Sequence, residues 1–322
     1  MFKTKMTELL GIEHPIQCGT MMSISNPEFV AAVANAGGLA CLAAAMYPTP
    51  QELTDAINRI RDLTDKPFGV NVSLFPALVP RPPEEMLETI IKAGVKILET
   101  AGRSPEPYRK MISEAGLIHI HKCARVRDAV KAEKLGVDIV SIVGTECGGH
   151  PSMEKVTSLI LVAKAASRIK TPLIAGGGFG DGRALLAALA LGAEGVNMGT
   201  RFLATRECPI HEKAKARILA AEETETVLVM ESLMNPARVL KTPWTEKIIE
   251  MEKGGAKLEE LAPMISGKVS FVGWNNGDLS EGIYPMGQVI GLINDIPSVA
   301  DLMKRIMDEA DQALKRLEGL SR

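Results

Sequence analysis

The sequence predicts an α/β fold: a (β/α)8 TIM barrel with a helical insertion after the eighth strand. Three observations lead there. Over roughly the first 200 residues, short apolar and often β-branched runs alternate with longer segments of helical periodicity. Glycines stop the helical segments just before the next strand. The strand runs are almost continuously apolar rather than alternating, so both faces are covered, as in a parallel sheet wrapped by helices.

Taken in order, the strand-like runs are 15–19, 38–43, 68–73, 96–100, 117–121, 138–142, 172–176 and 195–198, starting about 21 to 34 residues apart. Each leaves room for a helix behind it. Asn26-Pro27-Glu28 opens one helix with an N-cap Asn and Pro at the first helical position. Ala36-Gly37-Gly38, Ala93-Gly94, Leu135-Gly136 and Leu191-Gly192 supply the glycine stops. Eight such units suit a closed barrel better than an open doubly wound sheet. After Arg206 the rhythm breaks, and 207–284 is rich in Lys, Glu and Met, with Pro236 and Pro243 as punctuation. The expectation is a barrel from 1–206 and 285–322, with 207–284 as a helical insertion or lid. A last helix at about 298–317 would close the ring. Barrel active sites sit at the C-terminal ends of the strands, so the insertion would stand over that face.

Composition narrows the function classes. Of 322 residues, 46 % are hydrophobic and 24 % charged, which excludes a wholly disordered chain. Lys plus Arg (37) nearly balances Asp plus Glu (39), so no basic surplus points to nucleic acid. Five cysteines, at 18, 41, 123, 147 and 208, form no C-x-x-C pair, which suits free thiols in a reducing compartment and no zinc site. No secretory signal opens the chain, and the uncharged stretch 29–47 is Ala-rich and interrupted by Asn35, Gly37 and Gly38. A cytoplasmic protein without membrane insertion is expected, acting on a small molecule, and a homodimer is left open.

Function is then read from the strand ends. The seventh strand ends in Gly176, Gly177 and Gly178 and the eighth in Gly199 and Thr200, each before a helix start. Glycine-lined ends at these two strands are the usual phosphate seat of this fold, although tight turns alone would also use them. No register matches a dinucleotide fingerprint. On the third strand Asn71 and Ser73 share one face and need polar partners, either a ligand or each other. Pro76, Pro80, Pro82 and Pro83 then make an irregular loop that could gate the mouth. Lys122, ending the fifth strand, could pair a phosphate or an anionic ring, form a Schiff base, or simply snorkel to water. His119 and His121 lie on the opposite face and read as packing residues. After the sixth strand, Gly148, Gly149 and His150 bring a titratable imidazole over the mouth, a candidate general acid or base. Cys147 beside it is a weaker candidate nucleophile. The residues alone thus reach a barrel enzyme with a phosphate-bearing ligand, without singling out a flavin.

The stretches AAVANAGGLA (31–40), DLTDKPFGVN (62–71), IHKC (120–123), KLGVDIVSI (134–142), ECGGHP (146–151), GGGFGDGR (176–183), LALGAEGVNMGTRFLATRECPIH (189–211) and GDLSEGIYPMGQVIGLI (277–293) resemble the nitronate monooxygenase (2-nitropropane dioxygenase) family of FMN-dependent barrels. The likeness runs through nearly the whole chain and looks closest to the bacterial NADH:quinone reductase branch. It implies an FMN phosphate on Gly176, Gly177, Gly178, Gly199 and Thr200. Gly19, Thr20 and Met21 would run along the isoalloxazine ring. Asn71, Ser73 and Lys122 would hold its polar edge and ribityl chain, with Lys122 favouring the anionic reduced ring. Gly148 would touch the flavin through its backbone, His150 would face the substrate, and Met22 and Pro76 would line the pocket. The implied activity is NAD(P)H:quinone reduction, with NADH or NADPH delivering hydride to flavin N5. The alternatives are nitronate oxidation with O2, a flavin enoyl-thioester reductase and, outside flavin chemistry, an aldolase-type barrel using Lys122 or a non-catalytic binding barrel. The chain departs from the family pattern at Cys18, Thr20 and Met22. It has Val143 where close relatives carry an acid, and Leu74, Phe75 and Leu78 make the third loop apolar.

Overall fold

The computed structural model describes residues 2–75 and 81–320. Eight parallel strands form a closed barrel in chain order. They are β1 (Ile16–Cys18), β2 (Leu39–Ala43), β3 (Gly69–Ser73), β4 (Ile97–Ala101), β5 (Ile118–Cys123), β6 (Ile139–Val143), β7 (Leu173–Gly176) and β8 (Gly195–Met198). Pairing of β1 with β8, Gln17 opposite Asn197, closes the ring. The expected (β/α)8 barrel is therefore the fold. The helix signals act as anticipated where they can be checked: Asn26 accepts the Phe29 N–H and caps Pro27–Asn35. Gly37, Gly94, Gly136 and Gly192 all take positive φ at the helix-to-strand turns.

The side chains inside the ring form two layers. At the N-terminal end, Leu39, Cys41, Ile97, Ile120, Ile139 and Ile174 pack around Met6 and Leu10 of the N-terminal helix Lys5–Leu10, which plugs the floor. Gly195 is part of that plug, because a Cβ there would collide with the Met6 sulfur. Two residues further along the strands the interior turns polar, with Gln17, Asn71, Glu99, Ser141 and Asn197 all buried. A far larger apolar cluster fills the space between the outer strand faces and the helices. His119 and His121 belong to that outer shell. The Thr100 hydroxyl lies 2.7 Å from His119 Nε2 and 2.8 Å from His121 Nδ1.

Residues 207–284 contain the helices Glu212–Leu219, Pro243–Lys253, Leu258–Ile265 and Gly267–Asn276. Beside the helices of the expected insertion, the segment also holds an antiparallel pair that the sequence pattern does not announce, β9 (Thr226–Val229) and β10 (Ala237–Leu240). These four-residue strands escape pattern reading because they serve a small core of their own: Val229 and Val239 pack with Ile248, Leu261 and Met264. The closing helix runs Val299–Leu320 and lies so tightly on Gly182–Ala190 that a Cβ on Gly182 would strike the Ile306 carbonyl. Among the described residues no helix is long and apolar enough to cross a membrane, and the five cysteines are free thiols.

Candidate active site

The rims of β7 and β8 are shaped by missing side chains. Gly177 and Gly178 adopt φ of +92° and +80°, which favours glycine. A Cβ on Gly177 would meet Ser158 Oγ at 2.9 Å and Gly144 N at 3.0 Å, so the β6 and β7 loops depend on its absence. Gly199 is different, because a Cβ there would have no neighbour within 4 Å. Beyond Gly178 only the Glu146 side chain comes near, at 3.5 Å. The two rims therefore leave an open, glycine-walled cradle. The Thr200 hydroxyl accepts the Gly287 N–H at 2.8 Å, which leaves its own proton to donate. The Glu146 carboxylate turns the other way, accepting the Ser158 N–H at 2.9 Å at the start of the helix Ser158–Ala166.

Inside the mouth, four donors converge on one carboxylate. Gln17 Nε2 donates to Glu99 Oε2 at 2.7 Å, while Thr20 Oγ1 (2.8 Å) and Asn71 Nδ2 (2.7 Å) donate to Oε1. Lys122 Nζ stands 3.3 Å from the same Oε1. Glu99 is fully buried, whereas the Lys122 side chain keeps 20 % exposure. Burial alone would push the Glu99 carboxyl up. The Lys122 ammonium and the Thr20, Gln17 and Asn71 donors outweigh it and hold the group below the usual carboxylate range, so it is ionised. Lys122, Asn71 and Thr20 thus share a partner that sequence reading missed. Each gives up one donor to it, and Lys122 and Asn71 keep further N–H groups for a ligand.

His150 sits at the exposed mouth, its ring 5.4 Å from that of Phe75. Its Nδ1 lies 3.2 Å from the Pro236 carbonyl, contributed by the turn before β10. A carbonyl can only accept, so Nδ1 carries the proton and Nε2 presents a lone pair. Crowding by protein lowers the His150 pKa, against smaller raising contributions from Pro236 and Asn235, and the ring is neutral at pH 7. The insertion also clamps this loop through its backbone: Gly149 N–H donates to the Arg238 carbonyl at 3.0 Å and Arg238 N–H to Gly149 O at 2.7 Å. On the other side, Gly148 admits the C-terminal segment, because a Cβ there would meet Met286 N at 2.8 Å.

The remaining expected residues divide. Gly19 closes β1 onto β8, donating its N–H to the Met198 carbonyl at 2.9 Å, with Asn197 Oδ1 occupying the space a Cβ would need. Met21 is half-buried and Met22 is exposed at the first loop. Ser73 ends β3 opposite Ala101. Pro76, Leu78 and Pro80 lie outside the described residues. Burial pushes the Cys147 thiol up to about 12, which disfavours the thiolate at neutral pH. One signal for Glu99 was present: an ionisable residue in the middle of an apolar strand covered on both faces must have a buried partner. Nothing comparable announces Pro236, whose role depends on where the insertion folds back.

Comparison with known proteins shows the family. The family model for nitronate monooxygenase matches residues 3–309. A (3aS,4S,5R,7aS)-5-hydroxy-7a-methyl-1-oxo-octahydro-1H-indene-4-carboxyl-CoA dehydrogenase from Mycobacterium tuberculosis is 32 % identical over 99 % of both chains. A probable nitronate monooxygenase from Staphylococcus aureus is 31 % identical over 78 % of this chain and 81 % of its own. The structure of FabK from Thermotoga maritima superposes with a TM-score of 0.92 at 36 % identity, covering 99 % of this chain and 100 % of that one. Matched across almost its whole length, the chain belongs to the nitronate monooxygenase family and is an oxidoreductase.

Proposed function

We propose that this protein is an FMN-dependent oxidoreductase whose substrate is a carbon acid, and specifically an acyl thioester. The observation that carries this reading is the tautomer of His150. A neutral imidazole anchored through Nδ1 to Pro236 O offers Nε2 as a base at the mouth. A base placed there suits removal of a proton from carbon beside a carbonyl. The relative named as a carboxyl-CoA dehydrogenase supports a thioester carbonyl.

The residues present fit FMN. Gly178 and Gly199 leave an open cradle at the phosphate end, Thr200 has a proton to give, and Lys122 and Asn71 retain donors for a polar ring edge. When bound, FMN supplies hydride exchange with carbon. The protein's part is the proton. In the oxidative direction Nε2 of His150 takes it from the α-carbon while hydride leaves the β-carbon. In the reductive direction the protonated imidazole returns it. Phe75 packs against the imidazole, and Met22 and Met234 are further exposed apolar side chains on loops of this face, suited to an acyl group. NADH or NADPH is the proposed reductant.

Alkyl nitronates are a second reading, supported by the relative named as a probable nitronate monooxygenase; a nitronate has already lost its α-proton, so the base would serve only the parent nitroalkane. Quinone reduction rests on the resemblance alone, because a quinone needs no protein base acting on carbon. The test is an anaerobic titration of the yellow protein. NADH or NADPH should bleach it, and crotonyl-CoA should restore the colour with saturation kinetics. A colourless protein that takes up no FMN would overturn the cofactor. Bleaching by an alkyl nitronate, with no response to crotonyl-CoA, would overturn the thioester in favour of the second reading.

A further inference from the structure

We propose that Glu99 is the counter-charge that cancels Lys122, so the flavin end of the barrel is close to neutral and does not favour the anionic reduced ring. This rests on the FMN reading above and reverses the expectation that Lys122 acts as an unopposed cation. Glu99 is a positioning residue here: it acts through Lys122, Thr20 and Asn71 rather than by touching substrate.

The geometry is specific. Glu99 is the only buried carboxylate among the described residues, and it sits in the polar layer directly above the apolar floor. Its Oε1 collects Lys122, Thr20 and Asn71 within 3.3 Å, and its Oε2 takes Gln17. A lone ammonium in a site of low dielectric would strongly attract charge developing on a bound ring, and an adjacent carboxylate removes most of that attraction. The same carboxylate fixes where the ammonium stands, because Lys122 on β5 reaches it from the strand paired directly with β4.

A second detail makes the proposal testable by substitution. Gln17 Oε1 is buried and has no hydrogen-bond partner. In Glu99→Gln, a half-turn of the Gln17 amide would offer that oxygen to the new NH2 group, while the new carbonyl would still accept from Thr20, Asn71 and Lys122. The variant therefore loses the charge and keeps the hydrogen-bond pattern.

The experiment uses the FMN-loaded protein and sulfite, which adds to flavin N5 and leaves a negative charge on the ring, so its dissociation constant reads positive charge nearby. Glu99→Gln should bind sulfite about tenfold more tightly than the wild type. It should also favour reduced over oxidised FMN by about tenfold, a rise of about 30 mV for a two-electron couple. Glu99→Asp, which keeps the charge, should stay near the wild-type sulfite affinity. In the wild type, which needs no variant to fold, the midpoint potential should be no higher than that of free FMN in the same buffer. An unchanged sulfite constant in Glu99→Gln, or a wild-type potential well above that of free FMN, overturns the role of Glu99 and leaves the flavin reading standing. A wild-type protein that holds no FMN overturns both.

Discussion

The lower and upper halves of the barrel interior are built by the same strands, two residues apart, and they have opposite characters. Ile97, Ile120 and Ile139 face the floor with Met6, and Glu99, Lys122 and Ser141 are their next inward neighbours. One step of the strand period, about 6.6 Å, separates a dry aliphatic plug from a buried ion pair. The difference teaches that the ring separates two tasks. The floor supplies apolar burial without polar atoms, and the upper layer carries a hydrogen-bonded ion pair at the candidate site. A buried pair of this kind adds little net stability, because desolvation offsets most of the attraction. The aliphatic floor and the shell behind the strands must therefore hold the ring together.

The sharpest test of that division is His150→Asn, at the rim of the upper half. Removing the Nε2 base should lower turnover of carbon-acid substrates by roughly 10²–10⁴-fold, the usual worth of a positioned base. Flavin content and thermal midpoint should barely move. The steady-state rate with a saturated acyl-CoA or a neutral nitroalkane checks it, and undiminished turnover would remove His150 from the chemistry. The pH profile gives the sign independently. With the neutral ring as the proposed base and its pKa lowered, the rate of proton removal should be flat from pH 7 upward and fall only as acid protonates His150, below the ordinary histidine pKa of about 6.5.

The floor should answer in the reverse way. Ile174→Ala, at a fully buried position of the lower layer, should cost about 2–5 kcal/mol of stability through lost burial and the cavity left behind. It should leave catalytic constants close to wild type in the cold. Chemical denaturation measured beside turnover would separate the halves. A floor substitution that abolishes activity while leaving stability intact would break the comparison.

These contrasts also show what a one-dimensional reading can reach. The ring, the glycine rims and His150 are local in the chain: each strand, turn and loop carries its own signal, from the Asn26 cap to the run Gly176, Gly177 and Gly178. The Glu99 cluster is not local, because Gln17, Asn71, Glu99 and Lys122 come from four strands and meet only when the barrel closes. The Pro236 carbonyl that sets the His150 tautomer lies 86 residues further along the chain, in a hairpin too short to show a pattern. Lys122 is legible as a charge at a strand end and Glu99 as an acid within an apolar strand, but that the two pair emerges only in the closed barrel.

Outside the ring a smaller effect is expected from the outer shell. His119 and His121 are buried and neutral, with pKa values lowered to about 3 and about 4, chiefly by desolvation. Between the ordinary value of 6.5 and those values the unfolded chain binds protons that the folded protein does not, so stability must fall as pH drops through that window. Denaturant midpoints measured from pH 7 to pH 4 should show the decline, and His121→Gln should flatten it. A slope identical to wild type would assign the acid sensitivity elsewhere.

The smallest effect tests the rim itself. Thr200→Val keeps the shape of the side chain but removes the hydroxyl that accepts the Gly287 N–H and has a proton to give to a phosphate. One such hydrogen bond to a charged group is worth about 1.5–3 kcal/mol, so FMN affinity should fall by about tenfold or more. Thr200→Ser should restore it, which a purely structural loss at the Gly287 contact would also allow. Riboflavin, which lacks the phosphate, separates the two. Its binding should be unchanged by Thr200→Val if the hydroxyl serves the phosphate, and weakened in step with FMN if the rim has merely come apart.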